Sequence, residues 1–160
     1  MTEIIYKPIG LIHSPYKDIQ GMPIQSAGAR DVQGTIEILP EFEPGLADLD
    51  GYSHIILLYH FHRTQGFSLS VKPFLDDNHH GVFATRAPRR PNPIGLSVVR
   101  LAKVEGTILH ILDVDMVDGT PLLDIKPYVP EFDVCNVTRI GWLASHVKKV
   151  DQIKSDDRFK

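Results

Sequence analysis

Arg86, Arg89 and Arg90 stand among Pro88, Pro91 and Pro93 inside eight consecutive positions of the stretch ATRAPRRPNPIGLS, residues 84–97. Each guanidinium is a planar fork of donors that matches a carboxylate or a phosphate. Each proline holds φ near -65°, lacks a backbone donor and pushes the preceding residue toward extended backbone. The segment is therefore excluded from helix and makes a poor central strand. It reads as a stiff loop that gives up little further entropy on binding. Asn92 adds a small amide able to read a polar edge, and Gly95 would let the chain pass close to a ligand. An anion clamp is the chemistry these residues suggest. Two other readings compete: a solvated loop paired with nearby acids, and a PxxP ligand formed by Pro88 to Pro91.

The acidic counterpart follows in VDMVDGTPLLDIKPYVP, where Asp115, Asp118 and Asp124 fall within ten positions, beside Lys126 and Tyr128. Asp118-Gly119 is a turn signal and Pro121 is expected to stop regular pairing, which puts these carboxylates at a strand end. Such groups can hold sugar hydroxyls, an amino group or a metal ion, or simply shape the turn. His60 and His62 are two apart, as a metal site on one strand face needs, yet His54 and His60 read equally well as core histidines. His79-His80 lies in the turn DDNHHG. No metal site is expected.

Phosphate-cradling glycine motifs of the G-x-G-x-x-G and G-x-x-x-x-G-K-[ST] kinds are missing, as is the G-x-S-x-G nucleophile elbow. The net charge of -3 argues against a nucleic-acid binder that uses its whole surface, though not against a local basic patch. The hydrophobic share of 42% and charged share of 23% are those of a globular chain. At 160 residues a single domain is expected, residues 1–160, with a core over about 5–133. The lone Cys135 leaves no partner for an internal disulfide. The opening MTEIIYKPIG lacks the basic lead and apolar run of a signal peptide, so a cytoplasmic protein without a membrane segment is expected.

Positioning these groups requires a scaffold, and glycine and proline, 12 of each, punctuate the chain as they do in proteins of short strands. The alternation predicts strands over Ile4–Ile12, Gly34–Leu39, His54–His62, Leu69–Lys72, Ile94–Val104, Ile108–Asp113 and Leu122–Lys126. SHIILLYHFH is apolar on both faces and reads as a strand covered on both sides. A phase change near Arg100 predicts a bulge. A short helix is expected within Glu41–Leu49. A second, amphipathic one is expected over about 137–150, where Val137, Ile140, Ala144, Val147 and Val150 recur at spacings of three or four. Beyond it the tail DQIKSDDRFK reads as polar. The fold class is mainly β: a single-sheet antiparallel β-barrel with one or two short helices, since closure removes exposed edges.

Three stretches in this order, IGLIHSPYKD, GVFATRAPRRPNPIGLS and DMVDGTPLLDIKPYVP, resemble the TsaA-like domain family. The resemblance runs from about Ile9 to Asp133. Its characterised members are S-adenosylmethionine-dependent tRNA methyltransferases that modify the exocyclic N6 nitrogen of threonylcarbamoyladenosine beside the anticodon. The resemblance implies a β-barrel, a methyl donor held outside any Rossmann framework, a homodimer, and tRNA as partner. By motif position it implies donor contacts at Pro23, Ile24 and Gln25, at His62 and Arg63, at Arg86 and Leu96, and at Asp115, Met116, Val117 and Asp118. Arg86 then suits the donor carboxylate, and Arg89 and Arg90 face RNA phosphate. Asp118, Asp124 and Tyr128 are the candidates for taking the acceptor's proton, with nothing in the sequence to rank them. Bacterial members carry a further C-terminal domain that helps grip tRNA. Only one predicted helix follows the core here, so the arginines must be gathered across a dimer or the acceptor must be smaller. A sensor that binds the donor without transferring its methyl group is the reading from a different class.

Overall fold

In the stretch His54–His60 every second side chain, Ile55, Leu57 and Tyr59, is buried, and the residues between them are half-buried. That period of two is a strand with one face to a core, and it recurs around the molecule. The computed structural model describes residues 2–159. Its strands are β1 (Gly10–His13), β2 (Gln33–Ile38), β3 (His54–His60), β4 (Ser70–Val71), β5 (His80–Gly81), β6 (Ile94–Glu105), β7 (Ile108–Leu112) and β8 (Thr120–Pro127). Six of them close an antiparallel barrel in the order β1-β2-β7-β6-β3-β8, and β4 pairs β5 as a separate ribbon. Ile12, Ile36, Ile38, Ile55, Leu57, Val99, Leu109, Ile111 and Leu122 fill the interior. The expected mainly β, barrel-forming class is what the chain adopts. The expected bulge is present as well, one step past Arg100: the β6–β7 register shifts between Leu101 and Lys103.

Several boundaries differ from expectation, each for a physical reason. The first strand begins at Gly10, not Ile4, and residues 2–8 are exposed. Pro8 has no donor for a ladder and restricts Lys7, so pairing starts after it. Pro121 does not stop β8. Its neighbour Leu122 pairs with Tyr59, where the ladder to β3 ends, so the missing N–H of Pro121 costs no bond on that side. In place of a helix within Glu41–Leu49 there is a 3-10 stretch, Pro40–Leu46.

The amphipathic helix expected over 137–150 does not form. Two 3-10 turns, Gly141–Ser145 and Val147–Lys149, stand there, and the one α-helix among the described residues is the short α1 (Pro130–Asp133). Gly141 sits at φ 59°, the left-handed conformation that ends a helix. The β-branched Val134, Val137, Thr138 and Ile140 are poor helix formers, and all four are exposed, Val137 at 68%. The tail is not a polar fringe either. Phe159, 3% exposed, packs with Val71, Val82 and Ala87 in a second apolar cluster outside the barrel.

Candidate functional site

Antiparallel pairing decides where the loops go. β1, β3 and β7 end, and β2, β6 and β8 begin, at one mouth of the barrel. The loops 14–32, 61–93 and 113–119 therefore leave from the same end. Those three loops carry Pro23, Ile24, Gln25, His62, Arg63, Arg86, Arg89, Arg90 and Asp115 to Asp118. The arginine–proline segment and the acidic bend, far apart in sequence, meet here.

Asp115 is the centre of the arrangement. Ser97 Oγ donates to Asp115 Oδ1 at 2.7 Å, and Tyr59 Oη lies 3.0 Å from Ser97 Oγ. A serine hydroxyl has one proton. With it committed to the carboxylate, Tyr59 must donate to Ser97. The backbone N–H of Ser26 also donates to Asp115. Burial pushes the Asp115 carboxyl up to about 6, against the opposing pull of the Ser97 hydrogen bond and the Arg86 charge. The phenol of Tyr59 is pushed up as well, by burial first and by the Asp115 charge second. A carboxyl titrating near neutrality beside a guanidinium is a mark of functional sites.

Arg86 is exposed and its Nη1 donates to Gln25 Oε1 at 3.0 Å, joining the loops 61–93 and 14–32. Arg90 behaves differently from the phosphate-facing residue expected. Its Nη1 donates to the carbonyls of Val82 (3.1 Å), Thr85 (2.8 Å) and Ala87 (3.3 Å), so it closes its own loop, with Phe83 lying over its guanidinium. Arg89 is half-buried, and its Nε has no hydrogen-bond partner among the described residues. His62 Nδ1 lies 3.5 Å from Thr120 Oγ1, and burial lowers its pKa, with Arg63 adding to the effect.

The stretch Asp115–Asp118 divides. Met116 and Val117 are buried, whereas Asp118 turns to the opposite side. There it takes Lys17 Nζ at 2.6 Å and the Ser14 N–H at 3.1 Å, and the hydrogen bond from Lys17 holds its carboxyl below the usual range. A groove of about 380 Å³ borders Ser26, with Arg30, His54, Arg100 and Asp113 in its wall; Asp118 lines a separate one of about 770 Å³ with His13 and Lys17. Three expected residues are not brought to the Asp115 cluster. Leu96, 50% exposed, lies on the outer wall of β6, on the face opposite Ser97. Asp124 faces outward beside Leu58 and pairs with Lys126 at 2.8 Å. Tyr128 sits at the far end of the barrel, its ring 6.3 Å from that of His54. His60 and His62 do not converge with a carboxylate. Among the described residues no group of three or more His, Cys, Asp or Glu is placed to hold a metal ion.

Gly95 has a different reason from the one expected. A Cβ there would stand 2.2 Å from the Tyr59 ring, so the glycine makes room for the tyrosine that supports Ser97, not for a ligand. The sequence reading missed Tyr59, Ser97 and Ser26 altogether. One signal was available for Ser97: it falls at an inward position between Gly95 and Val99, and an inward hydroxyl needs a partner. Also missed was the brace formed by Arg100, which donates to Asp113 through Nε and Nη2 at 2.6 Å each and to Asp31 at 2.5 Å. Asp31 and Asp113 both have positive φ, and the brace ties the loops 14–32 and 113–119 together.

A family model described as the tRNA-methyltransferase O N-terminal domain matches residues 11–134. A probable S-adenosyl-L-methionine-binding protein of Pyrococcus abyssi is 58% identical over 156 residues, which cover 98% of this chain and 85% of that protein. The tRNA (adenine(37)-N6)-methyltransferase of Homo sapiens is 36% identical over 137 residues, 81% of this chain but 31% of that one. Among solved structures, TrmO from Pseudomonas aeruginosa is similar at a TM-score of 0.73 and 41% identity, covering 89% of this chain and 63% of that chain. The chain thus spans most of the Pyrococcus relative, under two thirds of the bacterial structure and under a third of the human protein. A family match over three of its three mouth-forming loops, and a shared barrel at 41% identity, lead to one conclusion: the chain belongs to the tRNA-methyltransferase O family, through the N-terminal domain of that family.

Proposed function

We propose that this protein transfers a methyl group from S-adenosylmethionine to the N6 nitrogen of threonylcarbamoyladenosine in the anticodon loop of tRNA. The observation that carries the reading is the meeting of Arg86, Gln25 and Asp115 from three separate loops at one mouth of the barrel. Those residue types fit the donor: a guanidinium for its carboxylate, an amide for its polar edge, and a carboxylate for its ammonium and sulfonium charges. When bound, S-adenosylmethionine supplies the methyl group; the sulfur–carbon bond breaks as the nitrogen–carbon bond forms, and the acceptor nitrogen gives up a proton.

Arg86, carried on a loop that Arg90 and three prolines stiffen, fixes the donor's carboxylate end, and Pro23, Ile24, His62 and Arg63 line the approach. Arg89 meets RNA phosphate. Asp118 is committed to Lys17, Asp124 to Lys126, and Tyr128 is at the other end of the barrel, so none of these three candidate bases faces Arg86 and Asp115. Orientation of donor and acceptor accounts for the larger share of the rate, up to about 7–11 kcal/mol in favourable cases. The working unit is a homodimer acting in the cytoplasm; no helix of the described residues is long and apolar enough to cross a membrane.

The test is transfer of labelled methyl to tRNA carrying threonylcarbamoyladenosine, beside the same tRNA lacking that modification. Label is expected in the modified nucleoside alone. Tight donor binding with no label in either RNA would replace the enzyme with a sensor, and label in both would move the acceptor elsewhere.

A further inference from the structure

The barrel does not by itself join the two loops that meet at Arg86 and Gln25. The loop 14–32 springs from β1 and β2, and the loop 61–93 from β3 and β6. In the barrel order those strand pairs are never neighbours: β7 stands between them on one side and β8 on the other. Some other part of the chain must hold the loops at a fixed separation.

The C-terminal stretch does so. On one side it pairs with the loop 14–32: Pro23 bridges Lys154, Ser155 N–H donates to Met22 O at 2.9 Å, and Gly21 N–H donates to Ser155 O at 2.8 Å. The buried Ser155 Oγ also accepts from Met22 N–H at 3.1 Å. On the other side it grips the loop 61–93. Phe159 packs on Val82 and Ala87, which bracket Arg86 in sequence, and meets Phe74 edge-on at 5.1 Å. Arg158 Nη1 donates to Pro73 O at 2.7 Å. Trp142 Nε1 donates to Ala84 O at 2.7 Å while its ring stacks on His80 at 4.5 Å. All of these tail residues lie beyond the family-matched residues 11–134.

We propose that the stretch 141–159 is a positioning element of the donor site, which sets the distance between the Gln25 and Arg86 loops and so presents Arg86 to the donor carboxylate already oriented. The inference rests on the donor-site reading above. Trp142 and Ser155 are positioning residues: neither touches the donor. A preset pair of loops loses less freedom on binding, so loosening one contact weakens the donor complex without altering the chemistry of a bound donor.

The experiment is a double-mutant cycle on donor binding, with Trp142→Phe and Arg86→Ala alone and together, read by calorimetry with S-adenosylmethionine. Trp142→Phe keeps a smaller ring against His80 and removes the N–H to Ala84. It is expected to weaken donor binding about 3–10-fold, raise the donor KM by the same factor and leave kcat unchanged. In the Arg86→Ala background the same change is expected to have no effect, because the tail acts through Arg86. Equal loss in both backgrounds, or no loss in either, overturns the inference while leaving the donor site standing. Ser155→Ala, which loosens the tail's hold on the loop 14–32, must show the same dependence on Arg86. Wild-type protein that does not bind S-adenosylmethionine overturns the donor-site reading, and this inference with it.

Discussion

Ser97 gives its only proton to Asp115 and receives one from Tyr59, so the carboxyl is held by neutral donors on one side and by the Arg86 charge on the other. Burial outweighs both and raises its pKa from 3.8 to about 6. A raised acid binds its proton more tightly when folded than when unfolded. Between those two values the folded state therefore holds more protons, and stability falls as pH rises. Asp115→Asn removes that dependence. The variant should match wild type in melting temperature below about pH 4, and its advantage should grow up to about pH 6 and then stay constant. Thermal unfolding of both proteins across pH 3.5–8 checks this. The other perturbed carboxyls, Asp76, Glu105, Asp113, Asp118 and Asp156, are shifted the opposite way but are common to both proteins, so the difference isolates Asp115. A flat difference would mean that the carboxyl is ionised at no cost in the folded chain.

Loop 61–93 shows how much of an element can be read before its contacts are known. Three prolines announced a stiff connection, and the alternation in β3 and β6 placed that connection between two strands. What Arg90 does was not legible, because a guanidinium that closes a loop on three carbonyls has the same sequence as one that waits for phosphate. Arg90→Ala removes the donor shared by those carbonyls; Val82 O keeps the Thr85 N–H and hydroxyl, while Thr85 O and Ala87 O lose the Arg90 bond. The expected cost is about 1–3 kcal/mol, or roughly 2–12 °C in melting temperature for a chain of this size, with faster proteolysis inside residues 61–93. If Arg90→Ala melts with wild type and instead loses affinity for tRNA, the residue faces RNA after all. The C-terminal elements were misread for a related reason. Apolar spacing of three or four predicts a helix only where a surface receives the stripe. Phe159 stands alone in a charged window whose burial depends on Val82 and Ala87, more than 70 positions earlier.

At the scale of the whole molecule the surface is larger than a compact single chain of this mass is expected to expose. The chain exposes 10124 Å², where a folded monomer of 18.0 kDa is expected to expose about 8,000 Å². The excess is about 2,000 Å² per chain, or about 4,000 Å² for two chains, within the range that obligate homodimer interfaces bury. Part of it lies in segments flanking the barrel: Ile4 and Ile5 before it, and Phe132 (81% exposed), Val134, Val137 and Ile140 after it. On the barrel wall Ile94 and Leu96 stand exposed beside the half-buried Leu58, so the outer face of β3 and β6 is apolar too. Large exposed apolar runs of this kind mark interfaces, and a second copy is the occupant consistent with the proposed homodimer. The protein should sediment at twice its chain mass at micromolar concentration. Phe132→Asp with Val137→Asp, which touches neither the barrel core nor the mouth loops, should reduce that to a single chain with an unchanged circular dichroism spectrum. A wild-type chain that sediments as a monomer throughout the micromolar range would remove the dimer, and with it the joint surface that was to gather arginines from two copies around one RNA.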